Sequence, residues 1–199
     1  MSPQYDRTRR ALLSALASLT VVKMAFPASA SANTDNSLKT ERTLVIYLSR
    51  SGNTRVIAGV IHRSLHSDLF DIEPAIPYPD DYFQTVEQAK IERERDRDLR
   101  SPLKSSVSNI ERYQTIYLGF PVWGTTLPPV VQTFLTTHNL ADKTLIPFIT
   151  HGGYGVGNSE ALLARLATHA RQEQPLVIEC DQERRTTETV TRWLSTISR

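Results

Sequence analysis

Short apolar runs recur along this chain, separated by stretches in which apolar residues return every three or four positions. The run "TLVIYLS" (43–49) is continuous, β-branched and too short for a helix, the pattern of a strand buried on both faces. Behind it, Val56, Ile57, Val60, Ile61 and Leu65 in "NTRVIAGVIHRSLH" share one helical face. The alternation continues with "DLFDIEP" (68–74) as a second strand, "YQTIYLGFP" (113–121) as a third, and "LPPVVQTFLTTH" as a helix. Next come "KTLIPFITHGG" (143–153) as a fourth strand with its loop, "NSEALLARLATHARQ" as a helix, "PLVIEC" (175–180) as a last strand and "TTETVTRWLSTIS" as a terminal helix. Five strands alternating with helices predict an α/β fold, a doubly wound five-stranded parallel sheet with helices on both faces. One stretch breaks the rhythm: it is Pro-rich around Pro74–Pro79, densely charged from Lys90 to Arg100, and ended by Pro102. It reads as a loop and a solvated surface helix.

In such sheets ligands gather outside the carboxyl ends of the strands, where the strand order switches. Three loops follow the first, third and fourth strands: "SRSGNT" (49–54), "PVWGTT" (121–126) and "THGGYGVG" (150–157). With strand order 2-1-3-4-5 they converge on one crevice. The first offers hydroxyls from Ser49, Ser51 and Thr54, the Asn53 amide, and helix N-terminal N–H groups made approachable by Gly52. It has neither the lysine of a nucleoside-triphosphate loop nor a GxGxxG dinucleotide turn, so a terminal monophosphate held by neutral donors fits it better. The second exposes Trp123 beside Gly124 between two prolines, a stiff place for a flat ring to stack.

The charge pattern changes where the domain begins. "DRTRRALLSALASLTVVKMAFPASASA" combines a basic start, an apolar run from Ala11 to Val22 and small residues at Ala28, Ala30 and Ala32, which is the pattern of an export signal. The run is short of the roughly 20 apolar residues that span a bilayer, so no membrane anchor is expected after cleavage. Residues 1–32 read as the signal, 33–42 as a linker and 43–199 as the domain. "TRRALLS" resembles a twin-arginine signal, a route that carries folded proteins and implies a bacterial periplasmic destination. Removing residues 1–32 takes away Arg7, Arg9, Arg10, Lys23 and Asp6, leaving 19 basic against 20 acidic groups of the original 23 and 21. The basic pI therefore belongs to the signal and does not point to a nucleic-acid partner. Cys180 is the single cysteine, which excludes an intramolecular disulfide and thiolate metal clusters.

"SRSGNT" resembles the phosphate loop of the flavodoxin-like family, and "PYPDDY", "YLGFPVWGTTLPP", "TFL" and "PFITHGGYGVGNS" are similar to its short-chain flavodoxins and flavodoxin-like FMN reductases in order and spacing. The resemblance implies a flavodoxin-like fold of strand order 2-1-3-4-5 and a bound flavin mononucleotide (FMN). Carried over by position, Ser49, Arg50, Ser51, Gly52, Asn53 and Thr54 hold the phosphate. Pro121, Val122, Trp123, Gly124 and Thr125 frame the isoalloxazine ring, and Thr150, Gly152, Gly153, Tyr154 and Gly157 close its other side. No cation is expected close to the pyrimidine end of the ring. Gly124 is expected to reorient its peptide at little steric cost, which aims its carbonyl at flavin N5.

Other chemistries fit less well. His62 and His66 are four apart on a helix, but no acidic or thiol ligand recurs at metal-binding spacing. "HGG" at His151 and "GNSEA" around Ser159 echo a hydrolase, but the order is wrong for an oxyanion loop and a nucleophile elbow. His151 stands within the third loop, where it can face a ligand. What remains is electron transfer with a redox partner protein, or, as the alternative, NAD(P)H-dependent reduction of a quinone-type small acceptor. The absence of a long insertion in the last strand and of a nicotinamide motif favours the carrier.

Overall fold

A computed structural model of the chain describes residues 42–94, 101–180 and 183–197, all within the compact unit Leu38–Arg199. The expected signal, its cleavage region and the linker before Arg42 lie outside the described residues. The elements are β1 (Thr43–Tyr47), α1 (Asn53–Leu65), β2 (Asp68–Asp71), α2 (Tyr82–Glu94), β3 (Thr115–Pro121), α3 (Pro129–Thr137), β4 (Thr144–His151), α4 (Ser159–Leu166), β5 (Arg171–Gln172), β6 (Leu176–Glu179) and α5 (Glu183–Ile197).

The strands form one parallel sheet in the order β2-β1-β3-β4-β5, the expected flavodoxin-like arrangement, with β6 also pairing β4. Alternate residues of each strand feed opposite faces. Leu44 and Ile46 of β1 join Leu118 and Phe120 of β3 in a core completed by Val131, Phe134 and Leu163 from α3 and α4. Val45 and Tyr47 join Tyr117 and Phe148 in a second core under Ile57 and Ile61 of α1 and Val190 and Leu194 of α5. Both faces are therefore dry, which is why the strands read as unbroken apolar runs.

The fifth position of the sheet departs from the sequence reading. It is filled by two pieces: β5 lies beside Thr144 and Leu145, and β6 lies beside Phe148–His151. Pro175 stands between them and has no N–H to give to a ladder. The helix expected through Gln172 stops at Leu166, since Arg171 and Gln172 are taken by β4.

The charged stretch also departs from its reading. α2 is a helix, but it does not merely face solvent: Glu92 is buried and Arg93 half-buried. Its inward positions decide the shape of the site.

Candidate functional site

The carboxyl ends of β1, β3 and β4 deliver their three loops to one cleft of about 300 Å3, the lower end of the size range of small-molecule sites. At one end is the start of α1. No side chain caps this helix. The Ser49 hydroxyl instead accepts the Gly52 N–H within the loop, at 3.1 Å. Val56 is the first residue to donate back, to the Gly52 carbonyl at 3.0 Å. The N–H groups of Asn53, Thr54 and Arg55 are left for a ligand, in the positive field of the helix end.

The loops are fastened to one another. The Thr54 and Thr150 hydroxyls meet at 2.9 Å, both buried, and the Val122 N–H donates to the Thr150 carbonyl at 2.8 Å. The Asn158 N–H donates to the Thr125 carbonyl at 2.9 Å. Gly157 makes that last approach possible. Its φ is +56°, and a Cβ there would overlap the Thr125 carbonyl oxygen.

At the far end stands Trp123, half-buried, with the Tyr78 ring edge-on to it at 4.9 Å and 84°. The Tyr78 hydroxyl donates to Glu92 at 2.8 Å, and Gln88 donates to the other oxygen of that carboxylate at 2.9 Å. Burial, reinforced by the Glu92 carboxylate, pushes the Tyr78 phenol well above its ordinary pKa, so it remains a donor at any physiological pH. The indole is thus propped from behind by a ring whose own position is fixed by α2.

After Trp123 the chain reverses in two residues. The Trp123 N–H donates to the Thr126 carbonyl at 3.0 Å and the Thr126 N–H to the Trp123 carbonyl at 3.2 Å, while Gly124 (φ +55°) and Thr125 (φ +63°) are both left-handed. This is the geometry of a type I′ turn. The guanidinium of Arg93 lies across it: a Cβ on Gly124 would stand 2.9, 3.1 and 3.2 Å from Nη2, Cζ and Nη1.

Ten of the residues expected at the site line the cleft: Arg50, Ser51, Asn53, Thr54, Pro121, Val122, Trp123, Gly124, Thr150 and Gly152. Ser49, Gly52, Thr125, Gly153 and Gly157 are not on its surface; they shape the loops behind it. Tyr154 does not line the cleft. It is 93% exposed, and the second aromatic ring lining the cleft is Tyr82. His151 does line it, with Nδ1 accepting the Gly153 N–H at 3.1 Å, so the neutral ring carries its proton on Nε2. Ser159 is fully buried, which removes it as a nucleophile. His62 sits at the other end of α1, against the Ser67 carbonyl.

The sequence reading missed one whole wall. Tyr82, Thr85, Val86, Ala89 and Arg93 line the cleft from α2, at offsets of three, four, seven and eleven residues that place them on one helical stripe. That spacing was present in the sequence, hidden among charges. Cys180 also lines the cleft; it follows directly on β6, and the rule about carboxyl ends of strands points to it too. Arg93, which the sequence reading did not place at the site, reaches the Trp123–Gly124 turn from α2.

A sequence profile of the family described as Flavodoxin matches residues 42–197. The chain belongs to the flavodoxin family. Among solved structures, this flavodoxin-family chain is similar to a provisionally assigned flavoprotein from Bacteroides uniformis, with 28% identity and a TM-score of 0.68 over 78% of this chain and 98% of that one. A second such protein, from Bacteroides eggerthii, is 28% identical with a TM-score of 0.67 over 79% and 98%. A flavoprotein from Lactobacillus acidophilus, solved in complex with FMN, is 19% identical with a TM-score of 0.55 over 76% and 99%; that likeness is one of fold. No curated protein matches this chain.

Proposed function

We propose that this protein binds FMN in the cleft and works as an electron carrier. The observation that carries the reading is the pairing, in one cleft, of an uncapped helix start with a propped indole: a set of unused N–H donors at one end and a flat aromatic wall at the other. The donors suit a phosphate and the wall suits a planar ring. The Tyr82–Arg93 stripe runs alongside for about 16 Å, the rise of eleven helical residues, which matches an elongated ligand.

Bound there, FMN supplies the capacity to take up and release electrons singly or in pairs. The chain supplies the rest. N–H groups of the first turn of α1, with the Ser51 and Thr54 side chains, hold the phosphate, and Arg50 adds a positive charge at the mouth. Trp123 would cover one face of the ring, Val86 and Ala89 would keep water from the wall, and the Gly124 carbonyl, which accepts the Thr125 hydroxyl at 2.7 Å, would offer its second lone pair to the ring.

Carrier rather than reductase is supported by the fifth strand, whose break spans only Glu173–Pro175 and holds no inserted loop for a second substrate. Export through a twin-arginine signal fits a protein loaded with its cofactor before it leaves the cytoplasm. The purified protein is expected to be yellow and to release FMN on denaturation; the stripped protein should take FMN back far more tightly than riboflavin. A colourless protein that takes up no FMN overturns the proposal. Steady NAD(P)H oxidation with a quinone present would replace the carrier with a reductase.

A further inference from the structure

We propose that Arg93 raises the redox potential of the bound flavin. The inference rests on the FMN-binding reading and adds a property to the same cleft. Two arginines line the cleft, one at each end of the α2 stripe, and among the described residues no aspartate or glutamate lines it. Arg50 lies over the Tyr82 ring, 5.6 Å from its centroid, at the phosphate end. Arg93 is not needed there. It is eleven residues further along the helix, with its guanidinium flat against Gly124 at the redox turn.

Two other charged groups are engaged elsewhere. Arg55, which follows the phosphate loop, is engaged by Asp71 at 3.5 Å. Glu92, the next residue to Arg93, points to the groove on the other side of α2, where Tyr78 and Gln88 bind both of its oxygens. Arg93 makes no ion pair with any described residue. A half-buried cation with no carboxylate paired to it among the described residues favours whatever places negative charge beside it. Reduction of a flavin does so, since the reduced ring becomes an anion once its N1 proton is lost. Arg93 therefore tightens the hold on reduced FMN more than on oxidised FMN.

The test compares FMN-loaded wild type with Arg93→Gln, Arg93→Lys and Arg50→Gln. For each, the affinity for oxidised FMN is measured by fluorescence and the two-electron midpoint by equilibration with a reference dye. For Arg93→Gln the ratio of the reduced to the oxidised dissociation constant should rise tenfold or more, a fall of about 30 mV in midpoint per tenfold. Its affinity for oxidised FMN should stay within about threefold. Arg93→Lys should keep most of the wild-type midpoint, since it keeps the charge. Arg50→Gln should weaken both redox states alike, with the midpoint unchanged. An unchanged midpoint in Arg93→Gln, or an equal fall in Arg50→Gln, overturns the assignment while leaving FMN binding intact. A wild type that takes up no FMN overturns both.

Discussion

The hydroxyls of Thr54 and Thr150, 96 residues apart in the chain, face each other at 2.9 Å in a buried position. One belongs to the first turn of α1 and the other to the end of β4, so this contact clamps the loop after β1 to the loop after β4. Replacing only Thr54 with valine leaves the Thr150 hydroxyl buried without its partner, at a cost of about 1–3 kcal/mol. Replacing both with valine removes the unmatched group, and the double variant should lose less than the sum of the single losses. Urea unfolding of the four proteins gives the coupling directly.

Thr125 holds a left-handed backbone conformation that β-branched residues rarely adopt. A Gly–Thr pair suits a type II′ turn, in which only the first central residue is left-handed, yet here both are. The turn therefore stores about 1–3 kcal/mol of strain, which reorientation of the Gly124–Thr125 peptide releases. Thr125→Gly should raise the unfolding free energy by about 1 kcal/mol, the strain relief less the added freedom of the unfolded glycine. Thr125→Asn should also stabilise, because asparagine tolerates the left-handed region. A loss of stability in both variants would show that the turn is relaxed as it stands.

The protein has two tryptophans, and they report on different places. Trp123 faces the cleft, whereas Trp193 packs from α5 edge-on against Tyr117 at 5.8 Å. Adding FMN to the stripped protein should quench the Trp123 share of the emission. In Trp123→Phe, which keeps a ring in the wall, the remaining Trp193 emission should respond weakly, and FMN affinity should fall about tenfold. Tyr78→Phe should weaken binding less, while leaving Glu92 short of one of its two donors.

His138 stacks on Phe134 at 4.0 Å, accepts the Val107 N–H at Nε2 (3.1 Å), and has the Phe134 carbonyl 3.0 Å from Nδ1. Burial lowers its pKa below the ordinary 6.5, against a smaller opposing effect of the Phe134 carbonyl. The unfolded chain therefore takes the proton first. Stability from this site is complete above about pH 6.5 and declines as the pH falls, until the folded imidazole is itself protonated. Melting temperatures measured from pH 7.5 to 5 should drop on the acid side, and His138→Gln should flatten that part of the profile.

Most of the sheet could be read from the sequence because both faces of its central strands are dry: Leu44–Leu48 and Ile116–Phe120 admit few other interpretations. The place of the first loop was legible as well, since it follows a strand at its carboxyl end, and Arg50, Ser51, Asn53 and Thr54 do line the cleft. The α2 wall was not. Its cleft-facing residues include a tyrosine, a threonine and an arginine, so no apolar face stands out from the charges around it. Glu92 and Arg93 are adjacent in sequence, yet one is buried behind Tyr78 and the other lies on the Trp123–Gly124 turn. Only packing against Tyr78 and Gly124 decides which charge faces which way. The divided fifth strand was hidden similarly, because Arg171 and Gln172 look helical until the edge of β4 claims them.

That division has a consequence for the protein at high concentration. A long, regular strand at the outer margin of β4 would present an unbroken row of hydrogen-bonding groups, a template on which another molecule's strand could grow. Here the row is cut in the middle by Pro175, and each remnant is too short to guide an incoming chain. The same break that the sequence conceals blunts this margin of the sheet against edge-to-edge pairing.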